Sequence, residues 1–243
     1  TSAATDNTRN LVALTDLGEA QHIKNNRWTA QSATAVPANT ANDEYATLTG
    51  TMPAVRDITQ TGTLLDGIGM AGGDDYEKIE SARLLSASEY RLNADLGYIS
   101  LRTALQPDQV LAVAFEYTYK GENYQVGEFS TDLKDNTRSL LVKSLKNTAC
   151  TPRQGNWALM MRNVYSLGAT DVQRERFALD VKYLSDTTGV YLSYLPLPTM
   201  KDKRLLSVMG LDRLDNNARR VSNGYFDFVE GYTVQARRGL IFF

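Results

Sequence analysis

Cysteine and histidine occur once each in these 243 residues. Cys150 alone can form neither an internal disulfide nor a thiolate metal cluster. As a nucleophile it would want an imidazole beside it, and His22 is the only one, so Cys150 reads as a small, semi-buried apolar side chain. A Ser-His-Asp arrangement would depend on that same His22, in the weakly patterned N-terminal part. An excess of one charge is also missing. With 26 Lys and Arg against 28 Asp and Glu, the formal charge is −2. That balance supplies no basic field for nucleic acid or anionic lipid and no acidic tail. The longest clean apolar run, Val110 to Phe115, falls far short of the ~20 residues a membrane helix needs. A barrel strand of ~9–11 alternating residues is not excluded by the same argument.

What remains is a chain of ordinary globular composition, 42% apolar and 22% charged, long enough to bury a sizeable core. Residues 28 to 44 are mostly small and polar, with Pro37 among them, and read as a surface loop or linker. The pattern therefore divides into an N-terminal extension over 1–50, partly irregular and peripheral, and a β-rich domain over 51–243. The start at Thr1, without Met, and the apolar end Phe242-Phe243 point to a segment of a longer polypeptide.

Alternation at period two predicts three hairpins. In the first, Leu111, Val113, Phe115, Tyr117 and Tyr119 share one side of a central strand. The chain turns at Lys120 to Asn123 and returns over Tyr124 to Phe129. The second runs from Phe177 to Tyr183, turns at Ser185 to Gly189, and returns over Val190 to Tyr194. The third runs from Phe226 to Val234, turns at Ala236 to Gly239, and ends on Leu240 to Phe243, a strand expected to be packed but edge-exposed. Helices are predicted between them. One follows the acidic pair Asp74-Asp75, and another spans Thr137 to Ala149. A third is capped by Asn156, with Trp157, Met160, Met161 and Val164 inward, and a weaker one spans Lys203 to Leu214. The sum is a mainly β fold, an antiparallel sandwich-like domain of hairpins with interspersed short helices, with α+β as the neighbouring description.

Gly67-Ile-Gly69-Met-Ala-Gly72 matches the dinucleotide fingerprint by letter. Acids stand at Asp74 and Asp75, where the phosphate charge would sit, and a flexible glycine loop is the better reading. Asp212, Asp215 and Asn217, with Asp227 further on, offer closely spaced oxygens of the kind Ca²⁺ takes. The alternative is a polar turn held by Asx hydrogen bonds. Glu116, Glu128, Asp180 and Glu230 lie on predicted strands, as the paired carboxylates of a glycosidase would. Thirteen tyrosines are present; Tyr117, Tyr119, Tyr124, Tyr191 and Tyr194 gather near the hairpins as candidate partner-binding residues, or as semi-buried sheet packing.

Several segments are more specific than these patterns. Leu105 to Tyr119 (LQPDQVLAVAFEYTY), Tyr124 to Phe129 (YQVGEF), Asn156 to Ala169 (NWALMMRNVYSLGA), Gly210 to Asn217 (GLDRLDNN) and Phe226 to Val234 (FDFVEGYTV) resemble the SprA/Sov family. These are the giant outer-membrane translocons of the type 9 secretion system, also linked to gliding motility. The matching stretch runs from about Tyr90 to Phe243, and Ala218 to Asn223 departs from the Asp- and Gly-rich family pattern. The resemblance implies a soluble, non-enzymatic structural and interaction domain inserted between barrel strands, without cofactor and not itself membrane-spanning. It implies as partners the rest of the barrel protein, secreted cargo and accessory subunits, with no nucleic acid. It places the domain at the outer membrane, on the cell surface or on the periplasmic face. A carbohydrate-binding or carbohydrate-active β-sandwich is the alternative from another class.

Overall fold

The computed structural model describes residues 8–149, 151, 155–215 and 217–243. Cys150, one sequence candidate, and Asn216 lie outside them. The chain forms two compact units, residues 1–160 and 161–243. It is mainly β, built of short, mostly antiparallel sheets with a few short helices between the strands. No helix among the described residues is long and apolar enough to cross a membrane.

In the first unit, β1 (Thr8–Leu14) leads through a long loop to α1 (Glu44–Ala46), which continues into a π turn, Thr47–Thr51. α2 (Thr61–Gly67) and β2 (Tyr76–Arg83) come next, then the hairpin of β3 (Tyr90–Asn93) and β4 (Tyr98–Leu101). β5 (Leu111–Val113), β6 (Phe115–Tyr119), β7 (Glu122–Val126) and β8 (Leu140–Lys146) complete the unit's strands. Its main sheet has the order β2-β1-β8-β5, with β1 antiparallel to β2 and parallel to β8.

Strand alternation divides the core between the two faces of this sheet. Val12, Leu14, Leu141 and Tyr76 face the helical side and pack with Leu17, Trp28, Leu48, Val55, Leu65, Met70 and Val126. Leu11, Ala13, Leu140 and Val142 face the other way, with Ile79, Val110, Ala112 and Leu133. At Asn10 the ladder with β2 slips by one residue; the Asn10 side chain accepts from Ser81 N, whose own φ is +53°.

Four expectations are corrected here. The N-terminal part is not peripheral, because β1 stands between β2 and β8, and residue 50 falls inside the π turn of the same unit. The predicted helix over Thr137 to Ala149 is the central strand β8. Its run Leu140 to Ser144 is buried throughout, and so short an apolar run fits either period until both flanks are known to be paired. The predicted helix after Asp74-Asp75 is strand β2. Its acids pair with Lys24 and Arg27 rather than facing a helix end. The supposed central strand Val110 to Tyr119 breaks at Ala114, where Gly127 approaches so closely that a Cβ there would sit 3.1 Å from Ala114 Cβ. β5 becomes a sheet edge, and β6 leaves to form a separate ribbon with β7.

The second unit contains β9 (Val164–Ser166), β10 (Tyr183–Leu184), β11 (Tyr191–Leu192), α3 (Leu205–Val208), β12 (Val234–Gln235) and β13 (Leu240–Phe242). The helix expected after Asn156 is a single 3₁₀ turn, Gly155–Leu159, and the Val164 meant for its inner face begins β9 instead. α3 covers only four residues of the weaker helical stretch. The β10–β11 hairpin is also shorter than predicted. Phe177, Leu179 and Val181 lie outside any strand, and pack instead with Leu206, Leu211, Val234 and Ile241. Phe177 anchors this core, with ring centroids 5.5 Å from Phe226 and 5.2 Å from Phe228. The final strand is not an edge. β13 lies between β12 and β9, Ile241 is buried, and the Phe243 ring stacks on Tyr165 at 4.8 Å.

Candidate functional site

The β6–β7 hairpin forms as its residues dictate. Lys120 and Gly121 have φ of +53° and +85°, the doubly left-handed pair of a type I′ turn, whose twist matches the flanking strands. Tyr119 pairs with Glu122 across it, and Tyr117 with Tyr124. Gly121→Val is expected to weaken this hairpin by about 1–2 kcal/mol. The check is faster amide exchange at residues 119 to 123 with the main sheet unchanged.

Three of the five candidate tyrosines therefore share one ribbon. The Tyr117 and Tyr124 rings stack with centroids 5.5 Å apart at 26°, and Phe115 continues the row 6.1 Å from Tyr117. Lys120 Nζ lies 5.1 Å above the Tyr119 ring. Phe115 and Tyr119 are exposed, while Tyr117 and Tyr124 are half-buried. Burial, then neighbouring Tyr119, pushes the Tyr117 phenol up; the bond to Glu122 Oε2 does so for Tyr124. Tyr191 and Tyr194 belong to the second unit, where Tyr191 is exposed opposite Leu184.

The loop over 28–44 is not a loose linker. Its two ends are laced together: Thr29 N donates to Asp43 Oδ1 at 2.7 Å, Gln31 N to Ala41 O at 2.9 Å, and Ala30 bridges Asn42. Asn42 Nδ2 donates to the carbonyls of Asp16 and Glu19. The tip docks on the tyrosine ribbon. Tyr117 Oη donates to Pro37 O at 2.7 Å, and Asn39 N donates to Gln125 O at 2.7 Å. The Asn39 amide also exchanges two hydrogen bonds with the Gly127 backbone.

Beneath this loop lies a polar cluster that the sequence did not reveal. Lys143 Nζ donates to Thr15 O and to Glu19 Oε1 at 2.7 Å, and the Asp16 carboxylate accepts from Lys24 N. Burial, only partly offset by the Lys24 N–H and by Lys143, pushes the Asp16 carboxyl up to about 6. Its folded pKa exceeds the unfolded value, so its contribution to stability is full below about pH 4 and lost as pH rises through about 6. Asp16→Asn is accordingly expected to recover about 2 kcal/mol at pH 7 and almost none at pH 4. Thermal melts of both proteins across that range give the comparison.

A second buried group explains Glu128, one of the strand acids considered for glycoside chemistry. It meets Arg56 with two bonds, at 2.5 and 2.7 Å, and also accepts from Tyr45 Oη at 2.7 Å and Leu141 N at 2.9 Å. Burial pushes this carboxyl up, but the Arg56, Leu141 and Tyr45 hydrogen bonds outweigh it and hold it below the usual range. With every lone-pair direction engaged, Glu128 is structural rather than a proton shuttle. Glu116 is exposed on β6, Asp180 pairs with Arg204, and Glu230 accepts from Ala236 N.

The calcium candidates are each turned into their own loop. Asp212 accepts from Ser207 and Ser222 hydroxyls, Asp215 from Asn217 N and Arg219 N, and Asp227 from Arg213 N and Leu214 N. Only the Asp215 bonds are of the local Asx-turn type; Asp212 is held by two hydroxyls, and Asp227 reaches back along the chain to cap the segment after Asp212. Among the described residues no three His, Cys, Asp or Glu side chains gather in a way that could hold a metal ion. The glycine fingerprint follows helix α2 instead of a strand, and Asp75 accepts from Ala71 N where a phosphate would have to approach. No family model matches this chain, and no curated protein is similar to it.

Proposed function

We propose that this chain is a non-enzymatic structural and interaction domain of a very large outer-membrane protein-export channel of the type 9 secretion kind. It would shape or cover the pore mouth and meet secreted cargo or accessory subunits. The observation that carries this reading is the wording of five segments between Leu105 and Val234, which resembles the translocons of that system. A surface of the right kind supports it. The ribbon of Phe115, Tyr117, Tyr119 and Tyr124 offers aromatic area with polar tips, the composition enriched where proteins meet. Deleting the domain from the full-length channel should abolish secretion or disturb channel closure. Unchanged secretion together with unchanged outer-membrane permeability would overturn the reading.

The nearly parallel stack of Phe115, Tyr117 and Tyr124 also favours a second reading, a carbohydrate-binding module using the row as a stacking platform. A glycan array decides between them: binding that disappears in a Tyr124→Ala variant favours the sugar, and an empty array removes it.

A further inference from the structure

Glu44 is the most anomalous residue of the first unit. It opens α1 at the end of the 28–44 loop, its side chain is 0% exposed, and neither carboxyl oxygen has a hydrogen-bond partner among the described residues. A buried carboxylate with no partner is untenable as an anion, whereas the protonated acid is tolerable. The backbone of Glu44 is engaged at both ends, its N–H by Asn42 Oδ1 at 2.9 Å and its carbonyl by Thr47 N, and Asn42 is also the residue that ties the loop to the Asp16 and Glu19 carbonyls. Asn42 thus ties the closed loop to the start of the helix that carries the buried acid.

We propose that residues 28–44 form a proton-operated strap. Glu44 is uncharged while the strap lies closed, and it gives its proton to water only when the strap swings open and frees the Tyr117 hydroxyl and the backbone of Gln125 and Gly127. The opening breaks the bonds that the tip makes to the ribbon: Tyr117 to Pro37, and Asn39 to Gln125 and Gly127. The charged groups facing Glu44 come from four directions. They are Asp16 after β1, Arg27 near the start of the strap, Asp75 before β2 and Lys143 on β8. Lys143 is already paired with Glu19, and Arg27 with Asp75. Neither cation donates to Glu44, and burial, then Asp16, drives its carboxyl well above the usual range. His22 is exposed. The strap is independent of the export reading, since its opening is read on the isolated chain and not through secretion.

The test is amide exchange over residues 29–43 between about pH 5 and about pH 8, a range that begins above the ordinary glutamate pKa of about 4.3, corrected for the intrinsic rise in exchange rate. Strap opening should grow with pH by up to about tenfold per unit while β1 and β8 stay protected. Glu44→Gln, the neutral isostere, should fold and show a flat profile. Asp16→Asn should keep the wild-type slope, because the switch is not Asp16. Asn39→Ala should raise opening at every pH without changing the slope. A flat wild-type profile, a Glu44→Gln profile parallel to wild type, a slope lost in Asp16→Asn, or failure of Glu44→Gln to fold would each overturn the proposal.

Discussion

Glu128→Ala is expected to destabilise the first unit by about 3–5 kcal/mol, a large share of the stability of an ordinary domain. The substitution leaves the Arg56 guanidinium buried without its carboxylate, with the Ser139 carbonyl at 3.2 Å and the Tyr45 hydroxyl beside it, and strips acceptors from Tyr45 Oη and Leu141 N. The loss comes from uncompensated charge and orphaned donors more than from the attraction of the pair. A contrast follows from the same physics. Replacing both partners, as Arg56→Met with Glu128→Leu, should recover most of the loss, since a well-packed apolar pair needs no solvation. Urea denaturation of the single and double variants measures the difference. A double variant as unstable as Glu128→Ala would mean that the ion pair itself supplies the stability.

The second unit has its own sensitive point at Gly239. The residue has φ +60° at the end of the turn Ala236–Arg238, and a Cβ there would lie 1.7 Å from the Ala169 carbonyl oxygen. No side-chain adjustment relieves a clash with backbone. Gly239→Ala must therefore displace β13, and with it the Leu167 N to Gly239 O bond and the ladder to β9. The expected cost is about 4 kcal/mol or more, among the largest that single substitutions produce. Gly231→Ala is the control. Its φ is +81°, but a Cβ there meets nothing within 4 Å, so only the backbone penalty of about 1–2 kcal/mol applies. Amide exchange at residues 164–166 and 240–242 should collapse in the first variant and change little in the second.

These two sites mark what the sequence disclosed and what it withheld. The β6–β7 hairpin was legible because its information is local: alternation on both arms and a Lys-Gly turn that permits positive φ. The mainly β character was legible for the same reason. β8 is ambiguous in the sequence because Leu140 to Leu145 satisfies a helical spacing as well as a strand's. Its true environment comes from β1, some 130 residues earlier, and from β5. β2 is hidden because Asp74-Asp75 resembles a helix start, while their partners, Lys24 and Arg27, lie about 50 residues away. Glu128 looks like a free strand acid in the sequence, since nothing local to it announces Arg56. Nothing in the sequence marks Glu44. Small polar residues around it read as a solvated loop, and only the paired ends of that loop and the cover it makes over the main sheet reveal a buried acid. Separation along the chain, rather than weakness of the interaction, decided which features stayed hidden.

Acidic groups pushed in opposite directions also shape the pH response. Asp16 and Glu44 withdraw stability as pH rises above about 4, whereas Glu128 and Asp75, both held low, withdraw it as pH falls below about 4. The first unit should therefore melt at a higher temperature near pH 5 than near pH 7.

The central claim is that this is an interaction domain whose working surface is the tyrosine ribbon. Photo-crosslinking in living cells from a probe placed at Tyr119 of the proposed full-length export channel tests it most directly, because Tyr119 is exposed on the ribbon. The account predicts crosslinks to an export substrate or accessory subunit that vanish when Tyr124 is replaced by alanine. A folded, correctly inserted channel that yields no crosslink from Tyr119, while a control probe at Leu92 crosslinks freely, would contradict it.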